Sequence, residues 1–102
     1  MLFRSDVTAP SKPTNLTATS VTATQVTLTW TQSTDNIGVT GYQVQRLLGT
    51  NPPVIVGTAT GNTFTDVTAT PGTTYTYKVL ANDAAGNQSS PSIGVRVTTP
   101  KY

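Results

Sequence analysis

A proline-glycine turn, Pro71-Gly72, runs directly into Thr74-Tyr75-Thr76-Tyr77-Lys78-Val79-Leu80-Ala81, where aromatic and apolar residues recur at every second position. A period of two is the signature of a strand with one face buried: Tyr75, Tyr77, Val79 and Ala81 point one way, Thr74, Thr76, Lys78 and Leu80 the other. A tyrosine at the entry to such a strand, just past a corner between two sheets, can fold its hydroxyl back onto the backbone upstream. Here Tyr75 is expected to donate to a carbonyl between Ala69 and Pro71, locking the corner.

The same alternation recurs along the chain. Leu16 and Ala18 alternate with polar residues over 14–19, Val26, Leu28 and Trp30 share a face over 25–31, and Tyr42 and Val44 point inward over 41–48. Asn51-Pro52-Pro53 interrupts the pattern, so the strand at 54–58 is expected at a sheet edge. A fifth strand is read at 63–67, the sixth at 75–82, and the last carries Ile93, Val95 and Val97 as its inward face. Seven short strands without a helical period argue for an antiparallel two-sheet sandwich.

Composition narrows the chemistry. With 102 residues the chain suffices for one core, and only 10% of residues are charged. Threonine occurs 23 times, so exposed pleated faces are solvated by hydroxyls rather than ions. The six cations, Arg4, Lys12, Arg46, Lys78, Arg96 and Lys101, form no stripe of the kind a nucleic acid requires. Without Cys or His, disulfides, thiolate nucleophiles and imidazole bases are excluded. No apolar run reaches the ~18 residues of a membrane span. Residues 1–12 read as a proline-punctuated lead-in or linker, 13–99 as the domain, and 100–102 as the start of a second linker; the whole is expected to be a monomeric module cut from a longer polypeptide.

The order Pro13-x-x-Leu16, Trp30 on the second strand, Tyr42-x-Val44 on the third and Pro71-Gly72-x-x-Tyr75 before the sixth resembles the fibronectin type III family over about residues 10–100. Ser33-Thr34-Asp35-Asn36-Ile37-Gly38 and Asn82-Asp83-Ala84-Ala85-Gly86-Asn87 are similar to its bacterial branch, found as accessory modules of secreted chitinases, cellulases and amylases. The resemblance implies three strands packed on four, with Trp30, Tyr42, Val44, Tyr75, Tyr77 and Val79 in the core and Pro71 and Gly72 at the corner. It also implies a non-catalytic, extracellular spacer that positions neighbouring catalytic and carbohydrate-binding domains. One departure is visible: the corner position six residues before Tyr75, usually Leu in the family, is Ala69.

The carboxylates Asp6, Asp35, Asp66 and Asp83 lack the cleft a glycosidase pair requires and read as acceptors for loop backbone. Asp35, Asn36, Asp83 and Asn87 offer hard oxygen ligands for Ca²⁺, but at no recognisable calcium-loop spacing, so no cofactor is assigned. Sugar platforms need exposed aromatic faces, and strand parity spends Trp30, Tyr42, Tyr75 and Tyr77 on the core; the burial of Phe64 is left open, because Asp66 shares its face, and Phe3 and Tyr102 sit at the termini. Gln43, Gln45, Lys78 and Arg96 form an outward face suited to weak contact with an insoluble polysaccharide. An engineered binding scaffold is the remaining alternative, and its loops would be richer in Tyr, Ser and Trp than these.

Overall fold

The computed structural model describes residues 9–35 and 38–102. The lead-in residues 1–8, with Phe3 and Asp6, and the loop residue Asn36 lie outside the described residues. Seven strands form: β1 (Thr14–Val21), β2 (Val26–Thr31), β3 (Val39–Leu47), β4 (Val54–Ala59), β5 (Thr63–Asp66), β6 (Thr74–Asp83) and β7 (Val95–Thr98). They build a three-stranded sheet, β1-β2-β5, and a four-stranded sheet, β4-β3-β6-β7, with every pairing antiparallel. This is the expected sandwich, and β4 is an edge strand as its two preceding prolines require.

The alternation read from the sequence sets which side chains meet. Val26, Leu28 and Trp30 from one sheet face Tyr42, Val44, Tyr75, Tyr77, Val79, Ala81 and Val97 from the other, and all are buried. Phe64 packs against this core and is half-buried. Its ring occupies the space beside Gly57, where a β-carbon would stand 2.5 Å from the ring, so any larger residue there would have to displace the Phe64 ring.

Two sequence expectations fail along the last strand pair. Ile93, assigned inward, is 81% exposed, because regular pairing with β6 starts only at Val95 and strand parity has no meaning before it. Leu80, assigned outward, is only 8% exposed. Beside it an irregular segment runs along the free edge of β6: the amides of Ser89 and Ser92 donate to the carbonyls of Ala81 and Val79, and their hydroxyls accept from the amides of the same two residues. Two serine side chains thus complete a ladder that no strand continues.

The ends of the domain are opposed. β1 starts where β2 ends, with Thr14 opposite Thr31, whereas β7 ends where β6 begins, with Thr98 opposite Thr74. The ten residues of β6 at about 3.4 Å each put about 30 Å between the two ends of that strand.

Candidate functional site

Among the described residues no three His, Cys, Asp or Glu side chains gather, so the features considered are the polar tie between the sheets, the corner, the two chain exits and the outer faces. The tie is Asp66. It is the last residue of β5 and shares the inward parity of Phe64, so its carboxylate is delivered into the sandwich, where it is 1% exposed. Arg46 on β3 shares the inward parity of Tyr42 and Val44 and donates to Asp66 Oδ2 at 2.9 Å, while the Tyr77 hydroxyl on β6 donates to the same oxygen at 2.6 Å. Thr68 donates its hydroxyl and its amide to Oδ1, at 2.6 and 2.9 Å.

One carboxylate therefore joins both sheets and the turn that follows β5. Burial alone would raise its pKa; the bonds from Thr68, Tyr77 and Arg46 outweigh that and hold Asp66 below the ordinary carboxylate range. Tyr77 is pushed up, first by burial and then by its bond to Asp66, so it stays a neutral donor. The sequence reading saw Asp66 only as a loop acceptor, which the Thr68 contact satisfies, and missed the buried pair. The available signal was an Arg and an Asp both at inward positions of facing strands.

At the corner, Tyr75 is buried and its hydroxyl reaches Thr70, within the expected stretch, but the bond runs the other way. The Thr70 amide donates to the hydroxyl at 3.0 Å, so Tyr75 acts as the acceptor, since an amide can only donate. The Arg46 guanidinium lies 4.6 Å from the centre of the Tyr75 ring. Burial raises the Tyr75 pKa, but the bonds from Thr70 and the nearby Arg46 charge outweigh it and lower the hydroxyl. Ala69 is buried beside it. Tyr75→Phe strands the Thr70 amide and is expected to cost about 1 kcal/mol; an unchanged urea midpoint would remove this role.

The chain exits are bonded into the body. At the entry, the Ser11 amide donates to the Thr34 carbonyl at 2.9 Å and the Thr34 amide to Ser11 Oγ at 3.0 Å. At the exit, Gly72, with φ of +63°, turns its amide onto the Pro100 carbonyl at 2.9 Å. Thr99 donates its hydroxyl to the Thr70 carbonyl at 2.6 Å and its amide to the Thr73 carbonyl at 2.9 Å, and accepts from the Thr73 amide. Pro71 itself is exposed on the turn.

Trp30 and Tyr42 meet edge to face, 5.3 Å between centres, and the Tyr42 hydroxyl accepts from the Ser33 amide at 2.9 Å. Val44 and Val79 face each other in register, both fully buried. Gln43, Gln45, Lys78 and Arg96 lie on the outer face of the four-stranded sheet: Gln45 is opposite Lys78, and its side-chain Nε2 donates to Gln43 Oε1 at 2.9 Å. Leu80, read as part of that face, is withdrawn from it by burial. Among the described residues Tyr102 is the one aromatic side chain that is fully exposed.

The loop carboxylates face amides. Asp83 Oδ1 accepts from Ala85 and Asn87 at 3.0 and 2.9 Å, and Oδ2 from the Asn87 side chain at 3.0 Å, while Asp35 Oδ2 accepts from Gly38 at 3.2 Å. The donors to Asp83 close its loop, and among the described residues no three His, Cys, Asp or Glu side chains come together. A groove of about 360 Å³ between β1 and β7, lined by Pro13, Leu16, Ile93 and Val95 among others, contains no carboxylate.

Residues 11–98 match the fibronectin type III domain. The chain is 52% identical over 94 residues to exoglucanase B of Cellulomonas fimi and 50% identical over 94 residues to chitinase A1 of Niallia circulans, in each case over 92% of its own length. It spans only 8% and 13% of those two relatives. Among solved structures, chitinase ChiA74 from Bacillus thuringiensis superposes with a TM-score of 0.84 at 33% identity, covering 98% of this chain and 15% of that one. The sandwich and these matches agree: the chain belongs to the fibronectin type III family and is homologous to the fibronectin type III modules within bacterial exoglucanases and chitinases.

Proposed function

We propose that this module is a non-catalytic spacer of a secreted bacterial polysaccharide-degrading enzyme, holding neighbouring domains of the same polypeptide apart and in a limited range of orientations. The observation that carries the reading is the anchoring of both chain exits at opposite ends of the sandwich. Ser11 is bonded to Thr34 at one end and Pro100 to Gly72 at the other, so the backbone is held to the sandwich at least as far as these two residues. The body therefore runs from about Ser11 to Pro100, and a neighbour attached there inherits the direction of the strands. A flexible tether of about 100 residues would instead give a broad separation around 50–60 Å.

Fluorescent reporters fused to the two ends of the 102-residue chain test this. The expected result is one narrow distance distribution, unchanged up to the onset of unfolding; a distribution as broad as that of a glycine-serine linker of equal length would sink the reading. The same chain is expected to hydrolyse neither chitin, cellulose nor starch. Turnover that Asp35→Asn abolishes would make the module an enzyme and overturn the assignment.

A further inference from the structure

Resting on that reading, we propose that the outer face of the three-stranded sheet is a docking surface for the solid surface of an uncharged polysaccharide. The register assembles two rows across the three strands, Thr17–Thr29–Thr63 and Ser20–Thr27–Thr65. These positions alternate with the buried Leu28 and Trp30, or pair with positions that do, so their side chains stand outward. Neighbouring strands lie about 4.8 Å apart and successive outward residues about 6.8 Å apart, giving a regular net of hydroxyls and methyls.

Charge selects the occupant. The only ionisable side chain in β1, β2 and β5 is Asp66, and it points inward, so the outer face is free of charge. A partner bearing ions would find no counter-charge there, whereas a neutral surface of hydroxyl groups costs this face no ion desolvation. The outer face of the other sheet carries Lys78 and Arg96, whose ammonium and guanidinium groups would lose water against such a partner.

Rigidity favours the same face. Threonine is stiff at χ1 and loses little freedom on contact, unlike Gln, Lys or Arg. Several rotamers are already fixed: the Thr27 and Thr65 hydroxyls lie 3.1 Å apart, and Thr63 donates to the Leu28 carbonyl at 3.1 Å. Hydroxyl lone pairs remain for sugar O–H donors, and the methyls offer contact to C–H faces. Contact of this kind is weak for a free module; joined to an enzyme already on the solid, it acts at the effective concentration of an intramolecular event.

The test is depletion of the 102-residue chain from solution by chitin, cellulose and starch granules, at low and high salt. Adsorption to at least one solid is expected, insensitive to salt because no charge takes part. Thr29→Lys is expected to lower the retained fraction at least about fivefold, since a lysine must be desolvated on contact. Should that central position fail to fold, Thr17→Lys and Thr63→Lys, on the flanking strands, read the same face. Lys78→Gln with Arg96→Gln is expected to leave adsorption unchanged. Adsorption that falls with salt and disappears in the Lys78/Arg96 variant would move the contact to the other sheet and overturn the proposal. Absence of adsorption to all three solids overturns it too, and leaves the spacer reading intact, because that rests on the reporter distances.

Discussion

Asp66→Ala is expected to cost about 3–5 kcal/mol, a large share of the ~5–15 kcal/mol of a domain this size. The change removes one carboxylate but leaves four donors behind: the buried Tyr77 hydroxyl without its acceptor, the Thr68 amide and hydroxyl without theirs, and Arg46 without its ion pair. Arg46 keeps partial access to water, with 19% of its side chain exposed, and Thr68 is exposed, so most of the loss comes from the buried Tyr77 hydroxyl. Chemical denaturation at neutral pH reads the total. A loss under about 1 kcal/mol would mean that the tie is ornamental.

The same carboxylate gives the protein an acid limit. Its folded pKa is depressed, so its ionised form belongs to the native state. The stability it contributes is whole above the unfolded value near 3.9 and is lost as pH falls through the lower folded value. The stability gap between wild type and Asp66→Asn should accordingly be flat from about pH 7 to 5 and shrink below about pH 4. A gap that widens in acid contradicts the assignment. At the alkaline end Tyr77 behaves in the opposite sense: its raised folded pKa keeps its contribution intact below about pH 10, and the contribution declines as pH rises further.

Trp30→Ala is expected to cost about 3–5 kcal/mol as well, by a different route. The indole is 3% exposed between the sheets and meets Tyr42 edge to face, so truncation opens a cavity that the rigid strands cannot collapse. Its N–H finds no acceptor among the described residues, so the ring acts through area and shape. Native fluorescence should therefore be blue-shifted and resist quenching by iodide. Emission like that of free indole would place the ring in water and refute the assignment.

What could be read from the sequence was whatever depends on strand parity. Val26-x-Leu28-x-Trp30 and Tyr75-x-Tyr77-x-Val79-x-Ala81 place their residues without knowledge of partners, because alternation is a local property of extended backbone. The tie at Asp66 obeys the same parity but contradicts the expectation that charge lies outside, and only the meeting of two distant strands makes it affordable. Ile93 and Leu80 fail for a third reason. Their burial is decided by an irregular stretch, where Ser89 and Ser92 take the place of a strand, and no periodicity announces that. The direction of the Tyr75 bond was equally hidden, since a hydroxyl both gives and takes and the backbone geometry decides which.

The opposed and anchored chain exits have a mechanical consequence. Tension applied across the two ends of the domain enters at the start of β1 and leaves at the end of β7. Both strands are then pulled along their own length, β1 against β2 and β7 against β6, so the rungs of each ladder share the load and must slip together. Pulling Thr14 away from Thr31 would instead open the first ladder one rung at a time, and single-molecule force measurements should find that geometry far weaker than traction on the two termini.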